Sequence, residues 1–293
     1  MLSHEINRAF RTRLASGGAL LMPGAANALA ARVIADLGFE ALYLSGAGLT
    51  NTYLGMPDLG FVSLTEIAQH TATIRDATDL PLVVDADTGF GNALNVRHTV
   101  RTLERAGASA IQLEDQVNPK RCGHFSGKDV VGLGEARSRI KAAVDARQDP
   151  NLLIVARTDA RATLGFAAAM ERAAAFVEDG ADITFVEAPE SVDELRAIPC
   201  GLPGTPQLVN VVIGGKTPAL DFADLDGMGF KLVLYANAAL QGALYGMQAA
   251  LSRIKADGRL EEDGLVASFK ERQRMVNKPF FDAQEKRYTN DTA

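Results

Sequence analysis

Two clusters of residues in this chain could do chemistry. The first is acidic: Asp85 and Asp87 stand two apart at the end of an apolar run, LPLVVDAD, and Glu114 closes the next run, SAIQLED. Side chains two apart on a strand leave on the same side, so these carboxylates form an oxygen-only set. Such a set repels itself unless protons or a cation neutralise it. Mg2+ meets that need, with Mn2+ the other candidate: one or two carboxylates bind directly and water completes the shell. Asp58 and Asp115 add to the acidic supply. The competing reading is that Asp87 and Thr88 only cap the following turn. The second cluster is Lys120-Arg121-Cys122-Gly123-His124. A thiol flanked by two cations and an imidazole has a stabilised thiolate, which suits Cys122 to acid–base work; the competing reading is an inert buried cysteine. Gly123 and Gly127 let the segment bend, and a polar stretch of about twenty residues is long for a βα loop, so it reads as a lid. His4, His70 and His98 are isolated, and no histidine pattern points to zinc. Cys200, between Pro199 and Gly201, carries no chemistry in this reading.

These residues need a scaffold that presents strand ends together. Short aliphatic runs alternate with longer Ala-rich amphipathic ones, the pattern of parallel strands joined by crossover helices, so the class is α/β. Eight runs qualify as strands: 19–24, 41–46, 80–87, 109–115, 151–158, 182–187, 206–210 and 231–236. With roughly 25 to 30 residues per βα unit, 293 residues fit one (β/α)8 barrel, residues 1–293, without a second domain. A doubly wound open sheet is the competing topology. Six successive strands end in polar groups: Ser45-Gly46, Asp85-Ala86-Asp87, Glu114-Asp115, Arg157-Thr158-Asp159, Glu187 and Asn210. Ile6, Phe10 and Leu14 mark an amphipathic helix suited to plugging the barrel floor, and Glu261 to Tyr288 reads as a trailing helix with a stripe of Leu265, Phe269, Val276 and Phe280. That helix needs a surface to pack on, and a neighbouring subunit would supply one. The chain has 30 basic against 36 acidic residues, a net charge of -6, so it offers no general attraction for nucleic acid or an anionic membrane. No run reaches the ~18 apolar residues of a membrane span. Two cysteines and no apolar leader point to the cytoplasm.

The stretches YLSGAGLTNTYLGMPDLG, VVDADTGFGN, QLEDQ, KRCGH, VARTDA, FVEAPES and NVVIGGKTP together resemble the isocitrate lyase / phosphoenolpyruvate mutase superfamily over nearly the whole chain. The cysteine-containing lid is similar to that of its carbon–carbon lyases, in particular the 2-methylisocitrate lyase and 2,3-dimethylmalate lyase group. The resemblance implies a Mg2+-dependent (β/α)8 barrel that swaps its terminal helix between subunits, usually in a homotetramer. It implies that Ser45, Gly46 and Ala47 bind the carboxylate of a keto-acid product together with Arg157. Asp85 and Asp87 would hold the metal, with Asp58 and Glu114 as outer partners. Cys122 would be the general acid beside Gly123 and His124, Tyr43 would touch the reacting oxygen, and Glu187 and Asn210 would complete the pocket. The implied reaction cleaves a 2-hydroxy di- or tricarboxylate to pyruvate or glyoxylate plus a second carboxylate. Oxaloacetate decarboxylation or hydrolysis, both found in the superfamily, is the alternative.

Two departures bear on the substrate. The family's glutamate in the segment after Asn210 is Ile213 here, and the arginine that holds a third carboxylate is replaced by Gln241 in YANAALQ. A lost charge-assisted bond is worth ~1.5 to 3 kcal/mol, which favours a dicarboxylate of the dimethylmalate kind. Arg272 or Arg274 in the tail could restore the charge for a tricarboxylate.

Overall fold

The computed structural model describes residues 2–121, 123, 127–262 and 264–290. Eight parallel strands close into one barrel in chain order: β1 (Leu20–Ala25), β2 (Leu42–Leu44), β3 (Leu82–Asp85), β4 (Ala110–Glu114), β5 (Leu153–Thr158), β6 (Ile183–Val186), β7 (Gln207–Asn210) and β8 (Leu232–Tyr235), with β8 pairing back to β1. Each strand end lies within two residues of its sequence expectation, and the open-sheet alternative falls with the β1–β8 pairing. The strands are apolar almost throughout because helices cover the barrel outside while side chains fill it inside.

Alternation along the strands sorts two cores. Leu42, Leu44, Leu82, Val84, Ile154 and Ala156 face outward into the layer under the helices. Tyr43, Val83, Ala110, Val155, Phe185, Leu208, Leu232 and Leu234 face inward, and Phe10 and Leu14 of the Ser3–Ser16 helix close the floor beneath them as expected. The inward residues fix the site. Two positions beyond each lies the next inward side chain, and there the chain turns polar: Ser45 after Tyr43, Asp85 after Val83, Glu114 after Gln112, Arg157 after Val155, Glu187 after Phe185 and Asn210 after Leu208. Register then sets neighbours around the rim, pairing Asp85 with Gln112 and Glu114 with Arg157.

The helices start where the sequence supplies caps: Asn27 accepts from the Ala30 amide, and Ser63 and Glu66 form a reciprocal capping pair. The tail differs from expectation. It forms two helices, Phe269–Met275 and Lys278–Asn290, separated at Asn277, whose φ of 57° lies in the left-handed region. Pro279 follows at the start of the second helix, where its missing amide costs nothing. The preceding helix, Ala238–Asp257, has no buried residue although it carries Leu244, Tyr245, Met247, Leu251 and Ile254. Among the described residues no helix is long and apolar enough to cross a membrane.

Candidate active site

All eight strands point their carboxyl ends at one rim, and a cavity of about 190 Å³ sits there. It brings together Tyr43, Ser45, Ala47, Asp58, Asp85 and Glu114 with Gly123, Arg157, Glu187 and Asn210. Gly46 packs against the carboxylates of Asp85 and Asp87, and Asp87 lies just behind Lys120. Cys122 and His124 lie outside the described residues. A larger cavity of about 680 Å³ opens at the opposite end, between Arg11, Leu14 and Leu202. The smaller one carries the chemistry, because its lining is where buried charge converges.

The acidic half of the site is built on the β3 end. Asp85 Oδ1 accepts from the Asp87 amide (3.2 Å) and Gln112 Nε2 (3.3 Å), and Oδ2 accepts from the Gly46 amide at 3.3 Å. Asp87 has φ 47°, a left-handed conformation that a non-glycine residue holds at some cost; strain of this kind gathers at functional sites. Lys120 drives its ammonium between two carboxylates, 2.7 Å from Asp58 Oδ1 and 2.8 Å from Asp87 Oδ1. Burial pushes the Asp87 carboxyl up to about 7; Lys120 opposes that rise, and the charges of Asp85 and Asp58 add to it. Burial likewise holds Glu114 well above the usual carboxylate range, although Arg157 pulls the other way. Lys120 is held above the usual lysine range because Asp87, Asp85 and Glu114 outweigh its burial.

These carboxylates fit a hard cation. Glu114 Oε1 and the Asn210 amide oxygen are buried without a hydrogen-bond donor among the described residues, leaving acceptor capacity that an ion or its water shell would take up. No three His, Cys, Asp or Glu side chains among the described residues enclose a point on their own. An ion here would therefore rely on one or two carboxylates, Asp85 and Asp87 foremost, with water completing its shell.

Arg157 is the cationic half. Its Nε and Nη2 bind Asp159 at 2.9 and 3.0 Å, Nη1 reaches Glu114 Oε2 at 3.3 Å, and Nη2 stands 3.9 Å from Glu187 Oε1. The guanidinium lies over the Phe185 ring, 5.3 Å from its centroid. Gly123 approaches so closely that a Cβ there would collide with Arg157 Nη2 and Glu187 Oε1. Burial and the Asp85 charge hold the Tyr43 hydroxyl well above its ordinary pKa, so it stays a proton donor. Ser45 Oγ accepts from the Gly48 amide and donates to Asn237 Oδ1 at 3.3 Å.

Several neighbours escaped the sequence reading. Asn237 borders Ser45, and Phe185, Val212, Leu234 and Ala236 make an apolar wall. The period-two parity of β6 and β8 would have found Phe185, Leu234 and Ala236. Nothing in sequence spacing announced Asn237 or the inward reach of Lys120. Gln241 is exposed on the Ala238–Asp257 helix, and Ile213 is exposed beside pocket-lining Val212. Neither tail arginine reaches the pocket in this chain: Arg274 pairs with Asp36 at 2.6 Å, and Arg272 lies over Phe269.

A family model described as phosphoenolpyruvate phosphomutase matches residues 10–255. The chain is 44% identical over 247 residues to a 2,3-dimethylmalate lyase of Eubacterium barkeri, covering 84% of this chain and 85% of that one. It is 46% identical over 239 residues to a 2-methylisocitrate lyase of Aeropyrum pernix, covering 82% and 76%. A solved structure of oxaloacetate acetylhydrolase, in complex with the inhibitor 3,3-difluorooxalacetate, superposes with a TM-score of 0.90 at 30% identity, covering 97% of each chain.

Proposed function

The chain belongs to the PEP mutase/isocitrate lyase superfamily, and on that premise we propose that it is a carbon–carbon lyase cleaving a small 2-hydroxy dicarboxylate of the 2,3-dimethylmalate kind to pyruvate and a saturated monocarboxylate. The observation that carries the reading is the pocket itself: about 190 Å³, lined by Arg157 and the acidic cluster together with the apolar side chains of Phe185, Val212 and Leu234. That volume suits a malate-sized acid, below the ~300 Å³ typical of larger ligands. The apolar wall accepts alkyl substituents and offers a third carboxylate no countercharge, so methylisocitrate is the poorer fit.

In this mechanism Arg157 binds a substrate carboxylate and stays in place as negative charge develops on it. Ser45, Gly46, Ala47 and Asn210 would orient the keto-acid half, and the Tyr43 hydroxyl would donate to the reacting oxygen. Asp85 and Asp87 would hold Mg2+, with Asp58 and Glu114 around them; Mn2+ is the alternative ion. When bound, that ion supplies positive charge that favours loss of the substrate hydroxyl proton to a water in the pocket. The oxygen's electron pair then forms the ketone of pyruvate, the adjacent carbon–carbon bond breaks, and its electrons enter the remaining carboxylate as an enediolate. Cys122, between Lys120 and Gly123 in sequence, would return a proton to carbon, with His124 beside it.

The second reading, oxaloacetate hydrolysis or decarboxylation, is supported by the likeness to oxaloacetate acetylhydrolase. Relative kcat/KM for 2,3-dimethylmalate, 2-methylisocitrate and oxaloacetate with Mg2+ separates the two. Dimethylmalate should be the best substrate, and turnover of oxaloacetate alone would select the second reading. The resemblance implies a homotetramer that exchanges its terminal helix, and the unburied apolar side chains of the neighbouring Ala238–Asp257 helix support contact with another copy. We also place the protein in the cytoplasm, where the Cys122 thiol stays reduced.

A further inference from the structure

The mechanism above gives Lys128 no part, yet its side chain is only 2% exposed. A buried ammonium is costly unless it is paired. Its Nζ lies 2.6 Å from Asp159 Oδ1 and 2.5 Å from the Gly123 carbonyl oxygen. Both partners lead to Arg157: Asp159 grips its Nε and Nη2, and Gly123 packs directly against Nη2. Three carboxylates, Asp159, Glu114 and Glu187, thus compete for one guanidinium, and Lys128 brings a second positive charge to the one that Arg157 binds most fully. The Asp159 carboxyl responds: burial would raise it, but Arg157 and Lys128 hold it down to about 2.

We propose that Lys128 is a positioning residue for substrate binding: by neutralising Asp159 it frees the pocket-facing charge of Arg157 for a substrate carboxylate, and by holding the Gly123 carbonyl it sets how closely that glycine meets Arg157. The β5 end has other anchors. The Asp159 amide donates to Asp115 Oδ1, and Asp115 Oδ2 accepts from Thr158 Oγ1 and Arg172 Nη1. Losing the ammonium therefore acts on charge and on Gly123 and leaves the strand end anchored. Without it, Asp159 carries a buried charge answered by Arg157 alone, and the guanidinium is drawn toward Asp159 and away from ligand.

The inference rests on Arg157 as the carboxylate site, so the test reads carboxylate binding apart from turnover. Oxalate, the smallest dicarboxylate dianion, is titrated by calorimetry into the full-length protein with Mg2+ present, for wild type and Lys128→Met. The variant should bind oxalate roughly tenfold more weakly or worse, the cost of truncating one partner of a buried charge pair. With dimethylmalate, KM should carry the larger change and kcat the smaller, because the interaction is present before and during bond cleavage. A purely structural role would instead lower Tm and leave the affinity of the folded fraction intact. If Lys128→Met does not fold, Lys128→Gln keeps a donor for Gly123 while losing the charge, and carries the same expectation. A folded variant of either kind that binds oxalate as tightly as wild type overturns the proposal. A wild type that does not bind oxalate overturns both the assignment of Arg157 and the proposal built on it.

Discussion

Adding one methyl group at Gly123 should cripple the enzyme while sparing its fold. An alanine Cβ there would sit 2.7 Å from Glu187 Cγ and closer still to Arg157 Nη2 and Glu187 Oε1. Non-bonded carbons rest ~3.5 to 4.0 Å apart, so Gly123 and the Arg157–Glu187 pair must separate by about 1 Å. Neither side chain can yield cheaply. Arg157 is fixed by Asp159 and Glu114, and Glu187 is buried at the β6 end. The strain therefore falls on the segment carrying Gly123, or it rotates the guanidinium out of register with the substrate carboxylate. A displacement of 1 Å at a reacting centre is worth on the order of 10²-fold in rate. Initial rates of pyruvate release, coupled to NADH oxidation by lactate dehydrogenase, give kcat/KM, with Gly134→Ala as the control because a Cβ there meets nothing. The expected result is about a hundredfold loss for Gly123→Ala at unchanged Tm, and near wild-type activity for the control. Gly123→Ala with wild-type kcat/KM would refute the closeness of this contact in the working enzyme.

Four further outcomes follow from the same geometry. Asp87 has a folded pKa of about 7 against an ordinary value of about 3.9. Its contribution to stability is therefore fully present below pH ~4 and lost as pH rises through ~7, where the buried carboxylate must ionise. Mg2+ would offset that charge, so its stabilising effect on Tm should grow between those limits, and a pH-independent effect would contradict the assignment. Asp85→Asn should weaken Mg2+ affinity by at least roughly tenfold in calorimetry, since one charge-assisted ligand is lost. Val212→Arg, which puts a cation in the apolar wall, should move the kcat/KM ratio toward 2-methylisocitrate by roughly tenfold. Leu251→Asp on the unburied helix should lower the mass measured by light scattering, whereas an unchanged mass would argue that this helix does not bind another copy.

The sequence carried the barrel and most of the rim because both follow from a period of two. Val83 to Asp85, Val155 to Arg157 and Leu208 to Asn210 are steps along one face of a strand, so an apolar run ending in a polar residue already aims that residue inward. What it could not carry depends on the reach of long side chains and on loop paths. Lys120 and Lys128 both sit in the polar stretch after β4, yet one ammonium lies in the acidic cluster and the other on Asp159, and no spacing rule separates those two fates. The tail read as one helix because its apolar stripe is continuous in projection. The left-handed turn at Asn277 is a backbone event that the stripe does not register.

If strand-end carboxylates and Arg157 break a carbon–carbon bond in the proposed substrate, the fragment they leave is carbanion-like and must be protonated. NMR of the products formed from 2,3-dimethylmalate in D2O tests it in one experiment. The expected products are pyruvate and propionate carrying a single deuteron at its second carbon, both abolished by EDTA and by Cys122→Ser. Unchanged dimethylmalate after exhaustive incubation with Mg2+, or propionate formation indifferent to EDTA, would contradict it.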